Sequence, residues 1–221
     1  MTQDELRQRL AVYLVADPEA TQELLVDAVQ AALDGGATAI QLRAKRLGGY
    51  DLYRRATQLT FLCDQYGALF VVNDRLDIAL AAGAGGVHLG TSDLPVDIAR
   101  SLAPPGFVIG FSPQTMDDIQ AAPHLGADYV GLGPVFPTGS KADAQPPLGL
   151  DGLRQQVAES RLPSVGIGGI TAGNAAEVVA AGADGVAVIS AILGASDPTR
   201  ATAELVAVVG RAVDGRRALG S

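Results

Sequence analysis

Polar side chains recur at the carboxyl ends of short apolar runs along this chain. They include acids, bases, amides and hydroxyls, and they are Gln41, Arg43, Lys45, Asn73, Asp74, His88, Asp93 and Ser112. Buried polar groups are costly unless they are satisfied, so the set predicts a cavity that holds a polar ligand. For His88 alone, a hydrogen-bonded core histidine remains an open alternative.

Two aspartates in this set have the chemistry of magnesium ligands. Asp74 and Asp93 follow neighbouring apolar runs, and Mg²⁺ usually takes one or two carboxylates together with substrate oxygens. Helix capping is the commoner role of an aspartate in such a position and remains the alternative. Because basic and glycine-rich segments accompany the pair, we favour the metal site.

Two later segments are suited to bind a phosphate group. The first is Gly166-Ile167-Gly168-Gly169-Ile170-Thr171 and the second is Val188-Ile189-Ser190-Ala191-Ile192. Glycines let backbone N–H groups approach an anion, and the loops after the last two strands of barrel enzymes commonly bind phosphate. A tight turn is the alternative for the glycine cluster taken alone.

A long loop from Gly133 to about Pro147 carries further donors. Thr138, Ser140 and Lys141 could supply hydroxyl and ammonium groups to a diphosphate. The length of the loop suggests a lid, although an ordinary solvated loop explains the same residues equally well.

The elements that must position these residues are visible as a repeated pattern. A Gly-Ala pair follows a helical stretch and precedes an apolar run in four places, at Gly36, Gly83, Gly126 and Gly182. The glycine fits a helix C-cap and the run fits a buried strand. Four more apolar runs lie between these copies, so eight strand–helix units predict an α/β fold, a (β/α)8 TIM barrel. An open doubly wound sheet is the competing architecture.

The predicted elements occupy nearly the whole chain, which we interpret as one barrel domain over residues 1–221. Strands are expected at 12–15, 39–43, 69–73, 87–90, 108–112, 129–133, 164–168 and 186–190. Helices are expected near 21–35, 50–66, 74–82, 95–102, 115–122, 149–159, 172–181 and 198–213. A further helix near 3–10 is expected to cap the bottom of the barrel, and the tail 214–221 is expected to fray.

Alternation along the strands predicts which side chains enter the barrel. Aliphatic residues should face the helices, which leaves polar residues and glycines inside. The residues expected inside are Gln41, Arg43, Asn73, His88, Gly110, Ser112, Gly131, Gly133, Gly166 and Gly168. The same reasoning directs Val165 and Ile167 outward.

Composition excludes several classes of protein. The net charge of −8, the 5% aromatic content and the absence of Trp disfavour a nucleic-acid binder. The single cysteine, Cys63, rules out an internal disulfide and is interpreted as a core residue. No signal-peptide pattern and no membrane-length apolar run is present, so a cytoplasmic protein is expected.

Taken together, the motifs resemble the thiamine phosphate synthase family from about Tyr13 to Ile192. The matching stretches are Gln41-Leu42-Arg43-x-Lys45, Val72-Asn73-Asp74-Arg75, Gly86-Val87-His88-Leu89-Gly90 with Asp93, Ile109-Gly110-Phe111-Ser112, Gly131 to Thr138, Ser140-Lys141 and Gly166 to Ile170. The resemblance implies a transferase of thiamine biosynthesis. Such an enzyme joins hydroxymethylpyrimidine diphosphate to thiazole phosphate, giving thiamine phosphate and diphosphate by a largely dissociative, Mg²⁺-dependent reaction.

The resemblance also implies roles for individual residues. Asp74 and Asp93 would hold Mg²⁺, and Lys141, Arg43 and Ser112 would be catalytic. The pyrimidine diphosphate would be bound by Gln41, Arg43, Lys45, Asn73, Ser112 and Lys141. The thiazole phosphate would be bound by Thr138, Ser140, Gly169, Ile189 and Ser190. The partners implied are these two small molecules, with no nucleic acid and no membrane; a homo-oligomer is left open.

The chain departs from the family pattern at three positions. Ala44 stands where the family usually has Glu, Gln114 stands where a histidine is common, and Ser140 replaces a threonine while keeping the hydroxyl. The first two changes bear on substrate affinity or rate more than on fold or reaction class.

Two other functions remain in competition. A thiazole tautomerase shares this barrel, but in that group a histidine in the loop after strand five transfers the proton. Here that loop contains Gln114, and His124 lies at the far end of the following helix. A non-catalytic barrel that binds a phosphorylated ligand of the thiamine pathway is the second alternative, and Ala44 and Gln114 give it support.

Overall fold

The computed structural model describes residues 1–21, 25–139 and 146–219, and eight parallel strands in these ranges form a closed barrel. In barrel order they are β1 (Val12–Ala16), β2 (Ala39–Leu42), β3 (Leu69–Asn73), β4 (Gly86–Gly90), β5 (Val108–Ser112), β6 (Tyr129–Leu132), β7 (Ser164–Ile167) and β8 (Gly185–Val188). Each strand pairs with the next, and β8 closes the barrel on β1. The predicted (β/α)8 barrel is therefore confirmed.

Helices alternate with the strands. They are α1 (Gln3–Arg9), α2 (Leu25–Asp34), α3 (Gly49–Tyr66), α4 (Leu76–Ala81), α5 (Val96–Leu102), α6 (Met116–Leu125), α7 (Gly149–Ser160), α8 (Ala175–Ala180), α9 (Ser190–Leu193) and α10 (Pro198–Leu219). Most boundaries agree with the expected ones within a few residues, and residues 22–24 of the expected second helix lie outside the described ranges. None of the helices in the described ranges is long and apolar enough to cross a membrane.

The main core lies between the strands and the surrounding helices. Ile40 and Leu42 in β2 are fully buried, whereas their neighbours Gln41 and Arg43 line the cavity inside the barrel mouth. Cys63 is fully buried in α3, and this burial raises the pKa of its thiol to about 12. The thiol therefore belongs to the core, as expected, and is not a nucleophile.

The predicted orientation of β7 is wrong. Val165 and Ile167 line the interior cavity, and Gly166 faces the helix layer instead of the barrel. A Cβ atom on Gly166 would lie 2.5 Å from Val178 Cγ1 of α8. The glycine is needed where α8 packs closely against the strand, and its aliphatic neighbours turn inward. The apolar character of the side chains therefore led to the wrong assignment of the two faces of this strand.

The C-terminal tail, which the sequence analysis expects to fray, is helical as far as residue 219. Helix α10 continues to Leu219, because Arg216 anchors its last turns to the barrel. The Arg216 guanidinium donates to the carbonyl of Ala183 at 2.8 Å and to Val179 at 3.2 Å, and it lies 3.4 Å from Asp184. Residues 220 and 221 lie outside the described ranges.

The same aspartate holds the N-terminal helix. Arg7 of α1 donates to Asp184 Oδ2 at 2.6 Å, and the backbone N–H of Ser164 donates to the same oxygen at 2.9 Å. Asp184 and Ser164 stand at the amino ends of β8 and β7, so α1 lies at the bottom of the barrel, opposite the mouth. Buried Asp184 thus joins both terminal helices to the bottom of the barrel.

Candidate functional site

A cavity of about 250 Å³ opens at the carboxyl ends of the strands. Every predicted site residue that the structure describes lines this one cavity. These residues are Gln41, Arg43, Lys45, Asn73, Asp74, Asp93, Ser112, Thr138, Gly169, Ile189 and Ser190. Ser140 and Lys141 lie outside the described residues. Side chains from distant parts of the sequence meet here because all eight parallel strands end at the same rim.

Neither aspartate in the cavity caps a helix. The N-cap of α4 is Arg75 and that of α5 is Pro95, and neither cap has a side-chain hydrogen bond. Asp93 Oδ2 instead accepts the backbone N–H of Gly90 at 2.7 Å. Asp74 has a left-handed backbone with φ of 62°, a conformation that is strained for most residues but that aspartate tolerates. The capping alternative therefore fails for both residues.

The two carboxyl groups lie against each other. Burial, followed by a hydrogen bond to Asp93 and the charge of Asp93, raises the pKa of Asp74 to about 6. Lys45 and Arg43 act in the opposite direction, with Lys45 Nζ 3.7 Å from Asp74 Oδ2. The pair thus has more negative charge than its surroundings stabilise, which is the electrostatic condition under which carboxylates bind a cation.

Arg43 is held at the mouth by an aspartate that the sequence did not single out. Its guanidinium Nη1 lies 2.5 Å from Oδ2 of Asp17, which follows β1. Both side chains are largely buried, at 15% and 12% relative exposure. The pairing fixes the direction of Arg43 and leaves its remaining N–H groups available to a ligand.

A continuous chain of hydrogen bonds crosses the barrel below the mouth. Gln41 Nε2 donates to the Tyr13 hydroxyl at 2.8 Å, and the hydroxyls of Tyr13 and Tyr129 are 2.8 Å apart. The Tyr129 hydroxyl lies 2.9 Å from His88 Nδ1, and His88 Nε2 lies 2.8 Å from Ser112 Oγ. We call these five residues the polar chain. His88 is thus a hydrogen-bonded interior histidine, which the sequence analysis leaves open as an alternative for this residue.

Tyr13 and Tyr129 were missed by the sequence reasoning, although alternation gave a usable signal. Tyr129 is two positions before Gly131, which was placed inside, and Tyr13 is two positions before the inward-facing Val15. Both rings are almost completely buried, and burial is the main cause that raises the pKa of each hydroxyl above its usual range. Buried tyrosine hydroxyls need partners, and the polar chain supplies them.

The glycines after β7 bring backbone close to the cavity. Gly168 and Gly169 have φ of 98° and 65°, and a Cβ atom on Gly169 would lie 2.6 Å from the carbonyl oxygen of Pro137. The loop after β6 packs onto this turn, with the Phe136 N–H donating to the Gly168 carbonyl at 3.0 Å. Only glycine fits this turn, and the backbone of both glycines therefore forms part of the cavity wall.

Apolar side chains complete the wall on the side of β7 and β8. Val165, Ile167, Ala187 and Val188 line the cavity there, opposite the charged side formed by the ends of β2 to β4. The cavity therefore has a charged half suited to a diphosphate and a half that combines apolar side chains with glycine backbone. This division fits two different ligands better than one.

Comparisons with known proteins agree with this geometry. The thiamine-phosphate synthase of Methanoculleus marisnigri is 55% identical over 179 residues, covering 81% of this chain and 85% of that protein. That of Albidiferax ferrireducens is 47% identical over 206 residues, covering 93% and 94%. The solved thiamine phosphate pyrophosphorylase of Pyrococcus furiosus superposes with a TM-score of 0.86 at 43% identity, covering 94% of this chain and 98% of that one. The family model for thiamine monophosphate synthase matches residues 12–192, and the chain therefore belongs to the thiamine monophosphate synthase family.

Proposed function

We propose that this protein is a thiamine-phosphate synthase. It joins hydroxymethylpyrimidine diphosphate to thiazole phosphate and releases diphosphate. The observation that carries the proposal is the single cavity in which two adjacent carboxyl groups, Asp74 and Asp93, face Lys45 and Arg43. This arrangement suits a magnesium diphosphate, and the named relatives perform the reaction.

The residues present fit Mg²⁺. Asp74 and Asp93 supply two hard oxygen ligands that otherwise hydrogen bond to each other. Among the described residues no third acid, histidine or cysteine joins them, so substrate oxygens and water would complete the coordination, as is usual for Mg²⁺. When bound, the ion would neutralise charge on the diphosphate and make it a better leaving group.

The residues of the mouth divide between the two substrates. Gln41, Asn73 and Ser112 bind the pyrimidine, and Arg43 and Lys45 bind its diphosphate. Lys141 joins them from the loop after β6, with a role taken from the sequence alone. The thiazole phosphate is bound by Thr138, Ser140, Gly169, Ile189 and Ser190, where the glycine turn lets backbone approach an anion.

The reaction follows from this placement. The bond between the pyrimidine methylene carbon and the diphosphate oxygen breaks, and both electrons leave with the diphosphate. Arg43, Lys45 and Lys141 stabilise that departing charge, while Ser112 is held against the substrate by His88. The thiazole nitrogen then donates its electron pair to the cationic methylene carbon. This bond-forming step needs no general base. Catalysis by the protein is therefore electrostatic stabilisation and positioning.

The tautomerase alternative receives no support from the site. Gln114 lines the cavity where that activity would need a proton-transferring histidine, and His124 is exposed on α6. His88 does line the cavity, but both of its ring nitrogens already face hydroxyl partners. We place the reaction in the cytoplasm, since both substrates are small phosphorylated molecules.

The proposal is tested by assaying purified protein with pyrimidine diphosphate, thiazole phosphate and Mg²⁺. Thiamine phosphate and diphosphate should form in equal amounts, and omission of either substrate or chelation of Mg²⁺ should abolish both products. Isomerisation of a thiazole tautomer without condensation would support the tautomerase instead. Tight binding of both substrates without any product would support the non-catalytic binder.

A further inference from the structure

The polar chain connects two substrate-facing residues through three residues that have no assigned role. Gln41 in β2 and Ser112 in β5 both line the cavity. Tyr13 in β1, Tyr129 in β6 and His88 in β4 join them through hydrogen bonds of 2.8 to 2.9 Å. Five strands therefore contribute one residue each to a single hydrogen-bonded series.

The barrel has room for this series because one residue lacks a side chain. A Cβ atom on Gly110 of β5 would lie 2.2 Å from Tyr129 Cζ and 2.4 Å from His88 Nδ1. Any larger residue at this position would separate the phenol from the imidazole. Gly110 thus permits the one contact that links the two tyrosines to the histidine.

Counting protons along the series gives it a direction. Gln41 donates an N–H to the Tyr13 hydroxyl oxygen. The Tyr13 hydroxyl therefore donates its own proton to the hydroxyl oxygen of Tyr129. The Tyr129 hydroxyl in turn donates its proton to His88 Nδ1, which must act as the acceptor. A neutral imidazole that accepts at Nδ1 carries its proton at Nε2, and that proton is donated to Ser112 Oγ.

This direction determines what the two ends offer to a ligand. Ser112 accepts from His88, and no other hydrogen-bond partner for its side chain exists among the described residues. Its own hydroxyl proton is therefore directed to the ligand. At the other end the Gln41 amide is held with its nitrogen toward Tyr13, which leaves its oxygen as an acceptor.

We propose that the polar chain makes Ser112 an obligate donor and Gln41 an oriented acceptor, with Tyr13, Tyr129 and His88 as positioning residues for the pyrimidine diphosphate. Ring nitrogens and phosphate oxygens accept hydrogen bonds, so a Ser112 donor matches this substrate. This inference rests on the proposed function for the identity of the ligand. The direction of the series is a property of the free protein.

The first test reads the tautomer of His88 directly. The protein contains two histidines, so ¹⁵N-histidine labelling gives two sets of signals at about pH 8, where model imidazoles are neutral. His88 should show a single Nε2–H tautomer, and exposed His124 serves as the internal reference. A His88 ring protonated at Nδ1, or at both nitrogens, would overturn the proposed direction.

The second test breaks the series with Tyr129→Phe, which keeps the ring. The KM for pyrimidine diphosphate should rise about tenfold, while the KM for thiazole phosphate should change by less than about twofold; tenfold corresponds to about 1.4 kcal/mol. Tyr66→Phe is the matched control, because its hydroxyl donates to Asp34 at 2.6 Å, outside the cavity lining. Equal changes in both KM values would indicate a merely structural tyrosine.

A double-mutant cycle shows whether Tyr129 acts through Ser112. The variant Ser112→Ala combined with Tyr129→Phe should have nearly the same KM for pyrimidine diphosphate as Ser112→Ala alone. Effects that multiply would contradict the inference. If Tyr129→Phe does not fold, the tautomer of the wild-type protein decides by itself. That tautomer is measured without substrate, so an inactive wild-type protein would overturn the proposed function and leave this result standing.

Discussion

Asp93 has two functions that a single substitution can separate. Its Oδ2 atom accepts the Gly90 N–H, and its carboxylate is half of the proposed magnesium site. Asparagine at position 93 keeps an oxygen for the loop but loses the charge, so the loop should survive the change while metal binding should not. The fold and the chemistry can therefore be tested independently at this residue.

For Asp93→Asn we expect Mg²⁺-dependent turnover to fall by about 100-fold or more, since a bound metal contributes several kcal/mol to charge stabilisation. Thermal unfolding should stay close to the wild-type temperature. The matched control is Asp97→Asn on the exposed surface of α5. Wild-type turnover in Asp93→Asn would show that the aspartate only supports the loop.

The sequence was informative about residues that bear charge and less informative about their supports. Asp74 and Asp93 could be singled out because acids after buried strands need an explanation. Asp17 also follows a buried strand, but nothing in the local sequence indicates that its partner is Arg43 at the end of the neighbouring strand. The link between Tyr13 and Tyr129 likewise joins residues 116 positions apart, and only barrel closure brings them together.

At the level of elements, the packing of α8 on β7 depends on Gly166. In the Gly166→Ala variant the new Cβ would lie 2.5 Å from Val178 Cγ1, so α8 would have to shift. We expect a loss of about 1–3 kcal/mol in the free energy of unfolding, measured by denaturant titration.

Gly210→Ala is the matched control for that variant. Gly210 lies inside α10 with nothing within 4 Å of an added Cβ atom, and alanine in a helix interior is favoured over glycine. This variant should therefore gain about 0.5–1 kcal/mol. Changes of opposite sign in the free energy of unfolding of the two variants would support the corrected orientation of β7. Equal stability of the two variants would contradict it.

The anchoring of α10 can be tested in its last turns. Arg216→Ala removes the hydrogen bonds to Val179 and Ala183 and the contact with Asp184. Amide hydrogen exchange in residues 214–219 should become much faster, because the helix end then frays. Arg217→Ala changes an exposed neighbour in the same turn and should leave the exchange almost unchanged. Similar exchange in both variants would argue that helix propensity alone holds the tail.

These elements show which features of the fold a sequence pattern is sufficient to predict. The strand–helix alternation predicted the closed barrel because parallel strands joined by short links have few other arrangements. The orientation of β7 could not be predicted in the same way, because both of its faces are covered and apolar character then does not distinguish them. The last turns of α10 depend on tertiary contacts of Arg216, which local propensity does not reveal.

At the scale of the whole molecule, the barrel mouth must attract anionic substrates although the chain is acidic. The chain carries a net charge of −8, yet its proposed substrates are anions. Arg43 and Lys45 on one side of the mouth, together with the glycine backbone after β7 on the other side, provide local attraction that the overall charge does not. We expect this mouth to hold a diphosphate through a metal on Asp74 and Asp93.

The most direct measurement is a crystal structure with pyrimidine diphosphate and Mn²⁺, whose anomalous signal locates the metal in place of Mg²⁺. We predict one metal peak between the Asp74 and Asp93 carboxylates and the diphosphate oxygens, with Arg43 and Lys45 in contact with the same diphosphate. A diphosphate bound elsewhere, or bound at this rim with no metal on the two aspartates, would contradict the account.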